Sequence, residues 1–288
     1  NDELIITENC YEPVYNFATD ELKKFGISAK FFKTNNSEKL KNLINHNTKI
    51  LYIESPGSLN YEVEDLTKIV KMAKKKKVLT IMDNTWSTFV GCNPLKFGVD
   101  IVIESATKYI SGHSDNFCGV IACSKEHYPK IKQTAVRLGD FVSPESCFHA
   151  SKGLKTLNTR LEKHFENAKK VFNYLKNEKI ISEIIFLPDK SNKYHKLWKK
   201  YHSTGNGLIT FSIKKSGSIK NFLNYLRLFK IGFSWGGYES LIIPLNNLKP
   251  LKNPSKSNNY WFRIHVGLES IDDLINDLAY AIKKYENK

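Results

Sequence analysis

Residues 78–109 read VLTIMDNTWSTFVGCNPLKFGVDIVIESATKY, and this stretch decides the fold. It contains two short apolar runs, Val78 to Met82 and Ile101 to Ile103, rich in β-branched residues and too short for helices. Each reads as a buried strand. Each also ends in a polar cluster: Asp83-Asn84-Thr85-Trp86 after the first, Ser105-Ala106-Thr107-Lys108-Tyr109 after the second. Ligands of open α/β sheets bind beyond the carboxyl ends of strands, so both clusters are candidate site segments. Asp83 and Lys108 lie 25 residues apart, about one crossover, which would let neighbouring strands bring them together. By themselves an acid and a lysine at a sheet's mouth read equally well as a partly buried salt bridge.

Outward from this stretch the same alternation continues. Leu4 to Thr7 and Ile50 to Ile53 read as strands, the latter stopped by Ser55-Pro56-Gly57-Ser58. Phe17 to Phe25 reads as a helix capped by Gly26. Tyr61 to Lys77 places Val63, Leu66, Ile69, Val70 and Ala73 on one helical face. Cys118 to Cys123 is another strand, and 144–175 a long helix or helix pair with Leu154, Leu157, Leu161 and Ala168 at helical spacings. Further on, Leu208 to Ile213, Ser240 to Ile243 and Phe262 to Val266 are strand-like; Ile219 to Leu228 and Asp272 to Tyr285 are amphipathic helices. The expected fold class is α/β: a domain over 1–150 with a mostly parallel sheet, then a smaller α+β domain over 151–288 with its linking helix.

Composition narrows the function classes. With 288 residues, 41% hydrophobic and 12% aromatic, the chain can bury a substantial core. No run approaches the roughly 18 apolar residues that would span a bilayer. The net charge of +15 raises a nucleic-acid or polyanion-binding scaffold as a reading from another class. Its lysines are spread along the chain, and the densest run, Lys74 to Lys77, closes a predicted helix where cations suit the dipole. No nucleic-acid partner is expected. Five cysteines without closely spaced pairs and eight scattered histidines predict no metal site and reduced, buried thiols in a cytoplasmic protein. The chain opens on Asn1 and runs almost directly into a strand, so an upstream part, with any targeting signal, is expected to be missing.

The polar clusters suit one cofactor chemistry in particular. Pyridoxal phosphate (PLP) needs an amine for a Schiff base, a carboxylate to keep its ring nitrogen protonated, and donors for its phosphate. Lys108, Asp83, and Ser105 with Thr107 match those roles. Tyr11, just past the first strand, offers a ring face, though it also reads as a surface tyrosine. Arg263 has the planar fork that binds an amino acid's carboxylate, though a lone strand arginine is commonly structural. The triplet His113-Ser114-Asp115 is not a hydrolase triad, whose members converge from separate segments. Gly205-Asn206-Gly207 lacks the context of a phosphate loop.

Longer motifs add a resemblance. Tyr-Glu-Pro at 11–13, Glu-Ser-Pro-Gly-Ser at 54–58, Asp-Asn-Thr-Trp at 83–86, Ala-Thr-Lys-Tyr and Gly-His-Ser-Asp within 106–115, and Gly-Leu-Lys-Thr-Leu at 153–157 with Arg160 resemble the Cys/Met-metabolism PLP family. Ser-Trp-Gly-Gly-Tyr-Glu-Ser-Leu at 234–241 and Arg-Ile-His-Val-Gly-Leu-Glu at 263–269 extend the resemblance nearly to the end. Trp235 is similar to the bacterial cystathionine β-lyase pattern, which has Tyr where Phe233 stands. The resemblance implies an aminotransferase-like (fold type I) architecture. It implies that Lys108 bonds the cofactor and later shuttles the proton, that Asp83 pairs with the ring nitrogen, and that Tyr11 stacks on the ring. Ser105 and Thr107 would hold phosphate; Arg263, Ser234 and Trp235 would bind the substrate, an amino-acid thioether. The implied reaction is β-elimination of cystathionine in methionine biosynthesis by a homodimer or homotetramer. A γ-lyase, γ-synthase, cysteine desulfhydrase or alanine racemase of the same family, or a truncated inactive relative, are the other readings. Relatives carry about another hundred residues upstream, with a glycine loop at the cofactor phosphate and a Tyr and Arg reaching into a neighbouring subunit.

Overall fold

Most central strands of the first sheet are largely buried on both faces, as near-continuous apolar runs require, while its edge strands are not. The structure, a computed structural model, describes residues 2–34, 36–245 and 259–287. The chain divides into two compact units, one comprising Asn1–Ser105, Cys118–Cys147 and Lys193–Ser203, the other Ala106–Phe117, Phe148–Asn192 and Thr204–Lys288.

The first unit holds strands β1 (Glu3–Thr7), β2 (Ser28–Phe32), β3 (Thr48–Glu54), β4 (Leu79–Asp83), β5 (Ile101–Ser105) and β6 (Gly119–Cys123). Their order is β2-β1-β3-β4-β5-β6, parallel throughout except for the antiparallel pair β5–β6. Ile5, Leu51, Ile53, Met82 and Val102 pack on one side with Leu66, Ile69, Val70 and Ala73 of helix Leu66–Lys75. Burying each of those large side chains contributes roughly 2 kcal/mol. Ile6 and Tyr52 face the other side, with Ile81 and Ile103 packed against them.

Two helices differ from their sequence reading. The one expected over Tyr61–Lys77 begins only at Leu66. Tyr61 takes a left-handed φ of 52°, Gly57 N–H donates to Glu62 O (3.0 Å) and Glu64 N–H to the Ser55 hydroxyl (2.9 Å). Those polar groups are therefore engaged outside a helix, while Val63 is buried nonetheless. The one expected over Phe17–Phe25 is irregular: an α turn at Glu12–Asn16, a π turn at Phe17–Glu21 and a 3-10 turn at Leu22–Phe25, closed by left-handed Gly26. Phe17 and Phe25 point into water, so no continuous apolar stripe supports a longer helix.

The edge strand β6 leaves Val120 and Ile121 exposed, and helix Tyr128–Leu138 buries none of its residues. The thiols divide accordingly. Cys10 and Cys92 are buried, Cys118 and Cys123 beside the bare edge are partly open, and Cys147 is exposed, so burial was expected too widely.

In the second unit β7 (Ile181–Ile185), β8 (Leu208–Lys214), β9 (Lys230–Ile231), β10 (Leu241–Pro244) and β11 (Asn259–His265) form a sheet ordered β7-β8-β11-β10-β9. Only the β9–β10 pair is parallel among these neighbours. Helices Leu157–Asn177 and Ile271–Glu286 cover the face bearing Ile209, Phe211, Ile213, Phe262 and Ile264. The alternation of β11 sends Trp261, Arg263 and His265 to the opposite face. The predicted helix pair breaks after Leu154, and the helix from Ile219 ends at Tyr225 rather than Leu228. There the buried Asp277 carboxylate accepts the backbone N–H groups of Arg227, Leu228 and Phe229 (2.8, 2.9 and 3.1 Å), which takes the chain out of the helix. Among the described residues no helix is long and apolar enough to cross a membrane, and no group of three His, Cys, Asp or Glu could hold a metal ion.

Candidate functional site

Three adjacent parallel strands of the first unit carry an acid at or next to their carboxyl end: Glu54 on β3, Asp83 on β4 and Glu104 on β5. Asp83 Oδ1 accepts Thr85 N–H (2.8 Å) and the Thr85 hydroxyl (2.5 Å), and the Tyr52 phenol lies 3.5 Å from Oδ2. Burial pushes the Asp83 carboxyl up, against the lowering effect of the Thr85 hydrogen bonds. Ser105 N–H donates to the Thr85 hydroxyl (2.8 Å), tying the ends of β4 and β5. Asn84 donates to Glu104 Oε1 (2.8 Å) and to Cys92 O (2.9 Å), and burial pushes Glu104 up to about 7. Tyr11 follows β1, its ring more than half exposed, and its N–H donates to Glu54 Oε2 at 2.6 Å.

In the second unit Lys108 sits on a braced turn. Gly112 N–H donates to Lys108 O and Ser111 N–H to Ala106 O, both at 2.8 Å. Arg160 donates to Tyr109 O (2.7 Å), Ile110 O (3.2 Å) and Gly153 O (2.7 Å). Lys108 Nζ donates to Ser234 Oγ (2.9 Å) and lies 5.5 Å from the centroid of the Trp235 ring. Burial first, and the nearby Arg263 guanidinium second, push the Lys108 ammonium down to about 8. Arg263 Nη2 donates to Phe233 O (2.6 Å) and Ser234 O (3.5 Å). Lys108, Ser234, Trp235 and Arg263 thus meet in one cluster, while Thr107 beside Lys108 is half-buried.

Two further residues support this cluster: Gly236, whose pairing with Gly237 in the sequence reads either as room for close backbone approach or as a plain turn, and His265, which was not singled out from the sequence. Gly236, at φ +83°, sits where a Cβ would come 2.8 Å from Tyr109 N and 3.0 Å from Lys108 C, and its N–H donates to His265 Nε2 (3.0 Å). Burial holds His265 well below its usual range, so it stays neutral and accepts that bond. His265 shares a face of β11 with Arg263, a relation that strand periodicity alone provides. Glu54 obeys the strand-end rule that picked out Asp83. The triplet at 113–115 forms no triad: Ser114 donates to Glu239 (2.7 Å), His113 Nδ1 meets Ser111 O (2.7 Å), and Asp115 pairs with His149 (3.5 Å).

Comparison with known proteins agrees with this chemistry. The family model of Cys/Met metabolism PLP-dependent enzymes matches residues 1–283. The chain is 33% identical over 287 residues to cystathionine beta-lyase MetC of Escherichia coli K12, covering 96% of this chain and 72% of that protein. It is 32% identical to an L-alanine/L-glutamate racemase of Wolbachia pipientis wMel, covering 98% of this chain and 70% of the relative. A crystal structure of cystathionine gamma-lyase from Lactobacillus plantarum complexed with L-serine superposes with a TM-score of 0.92 at 27% identity, over 99% of this chain and 77% of that one. The chain belongs to the Cys/Met metabolism PLP-dependent enzyme family. Its fold is the expected α/β fold, its cofactor is pyridoxal phosphate, and lyases of cystathionine metabolism are its relatives. The residues present suit that cofactor. An amine brought down to about 8 can be had unprotonated at mild pH, and the partly exposed Asp83 can still accept a ring N–H.

Proposed function

We propose that this chain cleaves the β-carbon–sulfur bond of cystathionine, giving homocysteine, pyruvate and ammonia, in methionine biosynthesis. The carrying observation is the cluster of Lys108 with Ser234, Trp235 and Arg263, an amine next to a guanidinium fork. Bound pyridoxal phosphate supplies an aldehyde that takes up amines and a ring that withdraws electrons from a breaking Cα–H bond.

The protein's part is proton handling and orientation. Lys108 Nζ would take the α-proton of the substrate, and the same nitrogen would carry a proton to the departing sulfur. Arg263 grips the substrate carboxylate with its fork, and Ser234 and Trp235 bound the space around the amine, so the Cα–H bond faces Nζ. Asp83 would keep the ring nitrogen protonated, Tyr11 would stand against the ring, and Ser105 with Thr107 would hold the phosphate. Division into a large PLP-binding domain over 1–150 and a small C-terminal domain over 151–288 with its linking helix belongs to the same reading. So does a homodimer or homotetramer, supported by the apolar side chains that β6 and helix Tyr128–Leu138 leave in water.

The test is direct. Purified protein with PLP and L-cystathionine should release thiol and pyruvate in equal amounts, and Lys108→Ala should abolish both. Formation of 2-oxobutyrate instead, or exchange between L- and D-alanine with no thiol released, would overturn the β-elimination reading.

A further inference from the structure

We propose that Glu54 is a positioning residue of the cofactor site: its carboxyl group holds the main chain at Tyr11 and thereby sets where the Tyr11 ring stands. The inference deepens the proposed function, because it rests on the reading that Tyr11 faces the cofactor.

The Tyr11 ring is 52% exposed, so little packing fixes it from the side. Its backbone is held instead. Glu54 Oε2 takes the Tyr11 N–H at 2.6 Å, the shortest backbone-to-side-chain bond of this loop. Glu54 is itself fastened, since its own N–H donates to Thr7 Oγ1 on β1 at 3.0 Å. The preceding loop is clamped by the segment just after Glu54: Ser58 N–H donates to Asn9 O (3.2 Å), and a Cβ at Gly57 would lie 2.3 Å from the Asn9 amide nitrogen. Asn9 and Tyr11 are thus pinned to the end of β3 and the segment after it, with Glu54 engaging Tyr11.

The chemistry of the carboxyl group agrees with a holding role. Glu54 is buried, and burial first and the Asp83 charge second push its carboxyl well up from the usual range. The groups facing it are Asp83 on β4, the Tyr52 phenol on its own strand and the Cys10 thiol after β1. Glutamine keeps both the shape and the acceptor oxygen that takes the Tyr11 N–H; methionine keeps the volume and removes the acceptor.

The test compares Glu54→Gln with Glu54→Met, each alone and in a Tyr11→Ala background. PLP affinity is read by titrating the absorbance of the bound cofactor, and kcat and KM by thiol release. E54Q should stay within about twofold of wild type. E54M should lose about tenfold in PLP affinity and kcat with KM little changed, the equivalent of one unmade hydrogen bond of about 1.4 kcal/mol. In the Y11A background the difference between E54M and E54Q should vanish, since the carboxyl would have no ring to place. An E54M that behaves like wild type, a folded E54Q that fails, or an E54M loss that persists in Y11A would overturn the proposal. A wild type that binds PLP but releases no thiol would sink the β-elimination reading alone, and the affinity comparison would still decide the role of Glu54.

Discussion

Replacing Gly236 by alanine probes the packing behind Lys108. The new Cβ would sit 2.8 Å from Tyr109 N, 3.0 Å from Lys108 C and 3.1 Å from Lys108 Cβ. Two of those atoms are backbone, and Arg160 holds that backbone through Tyr109 O, so they have little room to retreat. A left-handed φ adds roughly 1–2 kcal/mol for a non-glycine residue, and overpacking typically another 1–3 kcal/mol. Gly236→Ala should therefore lose about 3 kcal/mol in equilibrium urea unfolding of the protein without added PLP. A displacement of Lys108 approaching 1 Å would lower kcat by about a hundredfold. Gly26 supplies the control: it shares the positive φ, at +73°, but a Cβ there meets nothing within 4 Å. Gly26→Ala should pay only for the dihedral, about 1 kcal/mol, and leave kcat unchanged. Equal losses in the two variants, or a G236A enzyme within twofold of wild type, would refute the claim that Gly236 supports the Lys108 turn.

Arg263→Lys keeps the charge but not the fork, so KM for an amino-acid substrate should rise about tenfold or more with a smaller change in kcat, measured by initial rates. Lys108 titrates at about 8 in the folded protein and near its ordinary 10.5 unfolded, so the native state binds fewer protons between those values. Stability contributed by this group therefore rises with pH across that window and is lowest below it. Lys108→Met should raise the melting temperature of the cofactor-free protein at pH 7, with the gap closing towards pH 10. Removing the Arg263 charge as Arg263→Gln should move the midpoint for PLP capture, followed by absorbance, upward from about 8. Asp277→Ala strands three backbone N–H groups and should cost about 3 kcal/mol in urea unfolding, far from the reacting groups.

Much of this was legible where a single rule governs the residues. Strands β1, β3 and β5 are largely buried on both faces, β4 on one, and all read as apolar runs whose polar ends mark Asp83 and Ser105. Edge strands were harder. β2, with Lys30 in its middle, and β7, with Glu183, lie at the margins of their sheets, where one side needs no apolar partner. Helix boundaries differ where side chains compete for the backbone, as Ser55 does for Glu64 N–H at a start and Asp277 for Arg227 N–H at an end. The meeting of Lys108 with Ser234, 126 residues away, has no periodic signal and came from motif resemblance. The sequence carries no sign of the role of Glu54, because the partner of its second oxygen lies 43 residues away and is set by the fold.

The Thr85 hydroxyl has a single proton, and Ser105 already spends its amide proton on that oxygen. The hydroxyl proton is thereby committed to Asp83 Oδ1, so the relay from amide to alcohol to carboxylate runs in one sense only. Oδ1 therefore takes two bonds from residue 85, while Oδ2 has only the longer contact with the Tyr52 phenol, so the two oxygens are unequal. A serine at 85 would preserve this polarity, while a valine would leave Oδ1 the backbone N–H of residue 85 alone.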